Sequence, residues 1–174
     1  MLKDYLMAHP GYDFIAPDFP ETPKEAFDAL TKFYTDLSKN HDQICLVGSS
    51  MGGFYSTLLQ CKFGFRIALI NPCIHPQEHF MDYIGPQFNP VTETHFELKP
   101  EMIEYLKELD GQAKGYDPKK TLVLLQSGDE VLDYKKSLDF YKDSEIDLTE
   151  GGCHAFEHFE LKIPKILEFF RKRT

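Results

Sequence analysis

The sequence predicts a mostly parallel α/β sheet with helices packed on both faces. Three observations carry the prediction. Short β-rich runs (Ile44–Val47, Arg66–Asn71, Thr121–Gln126, Glu145–Thr149) alternate with stretches whose apolar residues recur at helical spacing. The 174 residues fit one domain and can bury a sizeable core. Finally, the residue types that carry chemistry stand just past the ends of these runs, where sites lie in parallel sheets.

In chain order, Leu2, Tyr5 and Leu6 predict the tail of a helix that stops at His9-Pro10-Gly11. Tyr12–Ala16 reads as a short strand closed by Pro17-Asp18-Phe19-Pro20. Thr22-Pro23-Lys24-Glu25 is a helix start, with Thr as N-cap, Pro at the first position and Glu three after the cap. Ala26, Phe27, Leu30, Phe33, Tyr34 and Leu37 carry that helix to about Asn40. From Cys73 to Pro118 the alternation breaks down into a lid-like insertion rich in Pro, aromatic and acidic residues. Inside it, Pro100 opens a helix with the stripe Met102, Ile103, Leu106 and Leu109, stopped by Gly111. Regular alternation returns with the Thr121–Gln126 strand, a helix over Tyr134–Lys142 and the Glu145–Thr149 strand. A last helix runs from about Phe159 to Arg171, irregular near Pro164.

Ile44–Val47 enters Gly48-Ser49-Ser50-Met51-Gly52, a G-x-S-x-G pattern, and a helical stretch with Phe54, Leu58 and Leu59 follows. Strand, sharp turn and helix make this a nucleophile elbow with Ser50 at its apex. The strained backbone explains the small flanking residues Gly48 and Gly52, while Gly53 lets the helix approach the strand. The Met51 N–H and the helix N-terminus face a developing oxyanion. The plainer reading is a tight Gly/Ser turn that binds phosphate or only packs.

An elbow needs an acid and a histidine. Asp129 follows Thr121–Gln126, and His154 follows Glu145–Thr149 in Glu150-Gly151-Gly152-Cys153-His154. The order Ser, Asp, His is that of α/β hydrolases. Asp133 competes with Asp129 as the acid. Asp129 is preferred because hydrolases of this fold place the acid before a Val-containing turn, here Asp129-Glu130-Val131. The paired glycines before His154 imply a backbone that bends sharply to deliver the ring.

LVGSSMGGFYSTLL, the Asn-Pro after the next strand, LLQSGDEVLDY and EGGCHAF closely resemble the YqiA-type group of small bacterial esterase-like α/β hydrolases, over nearly the whole chain. The resemblance implies a carboxylic-ester hydrolase with nucleophile Ser50, acid Asp129 and base His154. Members of the group begin with a strand and a His-Gly-Phe loop that gives a second oxyanion N–H. This sequence starts inside the helix after that loop, so the single domain is expected to be N-terminally incomplete relative to the group. The absent strand would lie between Tyr12–Ala16 and Ile44–Val47.

The net charge of −9 argues against nucleic acid and anionic membrane as partners. No apolar run approaches the ~20 residues that span a bilayer. Cys45, Cys61, Cys73 and Cys153 lie singly, which fits a reduced, cytoplasmic setting. His75-Pro76-Gln77-Glu78-His79 fits the zinc signature H-x-x-E-H, but prolines crowd the helix it would need, and a solvated start to the lid is the preferred reading. The expectation is a serine hydrolase of small to medium acyl esters or thioesters, with no cofactor. The alternative is a catalytically silent binding domain of the same fold.

Overall fold

A computed structural model describes residues 1–9, 11–89 and 93–172. Pro10, part of the predicted first helix stop, lies outside them. The elements are α1 (Leu2–Met7), α2 (Pro23–Leu37), β1 (Cys45–Ser49), α3 (Met51–Phe63), β2 (Arg66–Ile70), α4 (Pro76–Phe80), β3 (Gly85–Asn89), β4 (Thr94–Leu98), α5 (Pro100–Ala113), β5 (Thr121–Gln126), α6 (Tyr134–Phe140), β6 (Glu145–Thr149) and α7 (Ile163–Arg171).

Four strands form one parallel sheet in the order β1-β2-β5-β6. Because spatial order follows chain order, the chain always steps the same way across the sheet. Right-handed crossovers then carry every connecting helix over one face. That face packs on α2, α3 and α5 through Leu46, Ile67, Leu69, Val123 and Leu125. The alternate residues Ala68, Ile70, Leu122 and Leu124 point the other way and meet Ile166, Phe169 and Phe170 of α7. The period of two explains why β5 is apolar throughout: it is buried on both sides. Leu6 of α1 packs against Ile163 and Leu167, on the far side of α7.

Several boundaries move. Helix α2 begins at Pro23 as expected, but the Thr22 hydroxyl bonds the Glu25 carboxylate at 2.6 Å instead of capping the backbone, and the helix ends at Leu37. Helix α5 runs through Gly111 to Ala113, since nothing there requires a left-handed residue. Pro164 sits in the first turn of α7, where its missing N–H costs nothing; a 3₁₀ turn, Phe159–Lys162, precedes it.

Tyr12–Ala16 is not a strand. No β-structure occurs over residues 12–20, and among the described residues β1 forms an edge with no strand outside it. An extended segment becomes a strand only by pairing, and Pro17 and Pro20 have no N–H to offer. Side chains hold this segment instead. The Tyr12 hydroxyl accepts from Arg171 Nε at 2.7 Å, and the Phe19 ring meets Tyr55 edge-on at 5.7 Å. It therefore passes from the α7 face to the α3 face.

The 73–118 insertion contains α4, an antiparallel β3–β4 hairpin that the sequence reading did not anticipate, and α5. His75 Nδ1 lies 2.8 Å from Asp110 Oδ2 and ties α4 to α5. The Glu21 carboxylate accepts from Thr94 Oγ1 at 2.6 Å and from Asn89 Nδ2 at 3.3 Å, holding the hairpin against the N-terminal segment. No helix among the described residues is long and apolar enough to cross a membrane.

Candidate active site

Ser50 stands between β1 and α3 with φ 51° and ψ −122°, a conformation that side chains disfavour. The surroundings hold it there. Its N–H donates to Ile70 O at 3.1 Å, and its carbonyl accepts from the N–H groups of Gly53 (2.9 Å), Cys73 (3.0 Å) and Phe54 (3.3 Å). A side chain at Gly48 would overlap the Gly52 carbonyl, and one at Gly53 would come within 2.7 Å of Pro72 Cβ. Gly52 differs from expectation, because a Cβ there meets nothing within 4 Å. The turn needs room at positions 48 and 53, on the inner side where strand and helix touch.

Asp129 follows β5 and its side chain is only 2% exposed. Oδ1 accepts from the N–H groups of Val131 at 2.9 Å and Leu132 at 2.8 Å. His154 comes from the loop after β6. Gly151 and Gly152 both lie at φ 77°, the left-handed bend that the paired glycines predicted. His154 Nδ1 lies 2.9 Å from Asp129 Oδ2 and 3.0 Å from Oδ1, and Nε2 lies 3.0 Å from Ser50 Oγ. Carboxylate, imidazole and hydroxyl therefore form one continuous hydrogen-bonded chain across three strand ends. Asp133 is elsewhere: it caps α6, accepting from Lys135 N–H at 3.0 Å. The Met51 N–H, at the first position of α3, has no acceptor among the described residues.

Reading the sequence passed over the residues that support this chain. Glu130 Oε2 accepts from the His154 backbone N–H at 2.9 Å, and that bond holds the Glu130 carboxyl below the usual range. Asn71 and Gln126, both 2% exposed, hydrogen-bond the loop that carries His154. The available signal was polarity out of place, since each ends an apolar strand.

Beside the site lies a cavity of about 410 Å³ lined by Met51 and Tyr55 of α3, Phe19 of the N-terminal segment, and Phe80, Phe96 and Leu106 of the insertion. The zinc reading finds no support in the geometry. His75 turns to Asp110, Glu78 pairs with Lys136 at 3.0 Å, and His79 lines the cavity. No group of three potential ligands is arranged to hold a metal ion among the described residues.

A family model described as an uncharacterised protein family, UPF0227, matches residues 3–171. Among solved structures, Est1E from Butyrivibrio proteoclasticus with ferulic acid bound is 20% identical at a TM-score of 0.60, covering 86% of this chain and 68% of that one. The alpha/beta hydrolase domain-containing protein 10 from mouse is 16% identical at a TM-score of 0.66, covering 96% and 81%. An esterase from Pyrococcus furiosus is 15% identical at a TM-score of 0.63, covering 98% and 73%. At these identities the likeness is one of fold: the sheet and its helices are those of an α/β hydrolase.

Proposed function

The chain belongs to the UPF0227 family, and from that premise we propose that it is a serine hydrolase of carboxylic esters or thioesters with small to medium acyl groups. The observation that carries the reading is the Asp129–His154–Ser50 hydrogen-bonded chain. In the proposed reaction Ser50 Oγ attacks the acyl carbon as its proton passes to His154 Nε2. Asp129 holds the imidazole tautomer and stabilises the imidazolium. The negative charge on the tetrahedral oxygen faces the free Met51 N–H. Collapse expels the leaving group, which takes the proton from His154, and water repeats the sequence on the acyl-enzyme. No step calls for a cofactor.

The cavity supports the acyl side of this reading. Met51 adjoins the nucleophile and lines the cavity, so an acyl group attached at Ser50 has an apolar, aromatic space beside it. The insertion supplies part of that wall, through Phe80, Phe96 and Leu106.

A fluorophosphonate probe with intact-mass detection tests the proposal. A single adduct is expected on the wild type, with none on Ser50→Ala and a trace on His154→Ala. Because the two residues act as a unit, each single variant should lower kcat for a p-nitrophenyl ester by on the order of 10⁴–10⁶ and the double variant little further. A wild-type chain that takes up no probe and turns over no ester would instead mark a silent binding domain.

A further inference from the structure

We infer that Asn71 and Gln126 are positioning residues for His154, acting together as a buried amide clamp on the loop that carries the imidazole. The inference rests on the hydrolase reading for its kinetic consequence, but not for its geometry.

The loop between β6 and the 3₁₀ turn before α7 belongs to no ladder; backbone bonds meet Gly151 O, from Gly128 N–H at 2.8 Å, and Cys153 O, from Phe156 N–H at 3.0 Å, and side chains satisfy other groups. Asn71, just past β2, has φ 39°, a conformation open to Asn at lower cost than to most side chains. Its N–H extends the sheet by donating to Leu124 O at 3.0 Å. Its Nδ2 donates to two carbonyls, Cys153 O at 3.0 Å and His154 O at 3.1 Å, and Oδ1 accepts from Gln126 N–H at 2.9 Å. Both amide protons are thus spent on the His154 loop.

Gln126, the last residue of β5, grips the same loop from beneath. Oε1 accepts from Cys153 N–H at 3.1 Å and Glu157 N–H at 2.9 Å, and Nε2 donates to Glu157 O at 2.8 Å. Its amide lies so close to Gly152 that any side chain there would overlap it. Two side chains therefore make five hydrogen bonds to residues 153–157, four of them to the peptide groups of Cys153 and Glu157 and one to the His154 carbonyl. With Glu130 on the His154 N–H, both backbone groups of the histidine are fixed.

The arrangement links three strand ends. Asn71 is anchored on β2, whose Ile70 carbonyl also receives Ser50 N–H; Gln126 leads directly to Asp129; and both hold the loop after β6. Position matters here because a proton transfer over 3.0 Å is sensitive to small displacements, and a 1 Å error can cost on the order of 10² in rate.

Asn71→Gly tests the inference, since glycine keeps the left-handed backbone and removes only the amide. Three quantities are compared with wild type: kcat and KM for a p-nitrophenyl ester, the fluorophosphonate labelling rate, and the downfield imidazole proton of His154 by NMR. Ile166→Val, buried against the opposite face, serves as the control for lost stability alone. The expectation for Asn71→Gly is a fall in kcat and labelling of about 10–10² fold with KM within about twofold, and a downfield proton broadened or lost. Ile166→Val should lower the melting temperature and leave all three unchanged. Should Asn71→Gly fail to fold, the isosteric Asn71→Asp, which turns an oxygen toward two carbonyls, decides by the same readouts. Wild-type kcat, labelling and downfield proton in a folded Asn71 variant would overturn the clamp. A wild-type chain that neither labels nor turns over overturns the hydrolase reading, and the proton signal then still decides the clamp on its own.

Discussion

At the scale of single residues, environment decides between groups that chemistry alone leaves equal. Asp129 and Asp133 are the same carboxylate four residues apart. One is buried, takes two backbone N–H groups and faces an imidazole; the other caps a helix in solvent reach. On the proposed mechanism, Asp129→Asn should lower kcat by on the order of 10⁴, because an amide selects the wrong histidine tautomer. Asp133→Asn keeps a capping oxygen and should leave kcat within a few-fold of wild type while costing at most about 1 kcal/mol of stability. Steady-state kinetics on the two variants checks this, and a reversed order would reassign the acid. Ser50, Asp129 and His154, which the fold joins in one hydrogen-bonded chain, were legible as a set, because each follows a strand and their order is informative. Asn71 and Gln126 showed only as polar residues ending apolar strands, and their role, like that of Glu130, was not legible, because it is exerted on backbone groups that leave no mark on the sequence of their own loop.

At the scale of elements, legibility followed burial. Thr121–Gln126 was located to the residue because an apolar run has few other places to go, whereas the half-buried Glu145–Thr149 was readable from the alternation of strands and helices. The β3–β4 hairpin was hidden: Gly85-Pro86-Gln87-Phe88-Asn89 faces solvent with alternate residues and lacks any apolar run. Tyr12–Ala16 failed in the opposite sense, showing strand composition without a partner. Edge strand β6 has a different support. Asp147 lies 2.9 Å from both Lys162 and Lys165, which tie it to the start of α7. Burial raises its carboxyl affinity for the proton, but the two ammonium groups outweigh this and hold it below the ordinary 3.8. A folded-state value depressed below the unfolded one adds stability above the unfolded pKa, and that stability disappears as pH falls through the folded value. Asp147→Asn should therefore lower the melting temperature at pH 7 by roughly 1–4 °C, allowing for solvent screening of the lysines. The gap to wild type should begin to narrow below about pH 4 and shrink further as the pH falls. Thermal scans across pH 3–7 check this, and a gap that persists or widens on the acid side would contradict it.

At the scale of the whole molecule, one-way winding divides the labour between the two faces unequally. Three crossovers roof one side of the sheet, while the other depends on α7, the last helix. Deleting residues from Ile163 onward should expose Ala68, Ile70, Leu122 and Leu124 together, and the shortened chain should lose most of its soluble yield. Sedimentation of wild-type and shortened chains after expression measures this; a monomeric short form with cooperative unfolding would show that another element covers that face. The same asymmetry sets a timetable for synthesis. Ser50 and His154 lie 104 residues apart, so at about 5–20 residues per second roughly 5–20 s of synthesis separate them. Throughout that interval Ser50 stands without the imidazole it bonds in the folded chain. The apolar underside of the nascent sheet stays uncovered until Ile166, Phe169 and Phe170 have also been made. A sheet built in this order is half-roofed during translation, with the exposed apolar surface that makes nascent chains prone to aggregate.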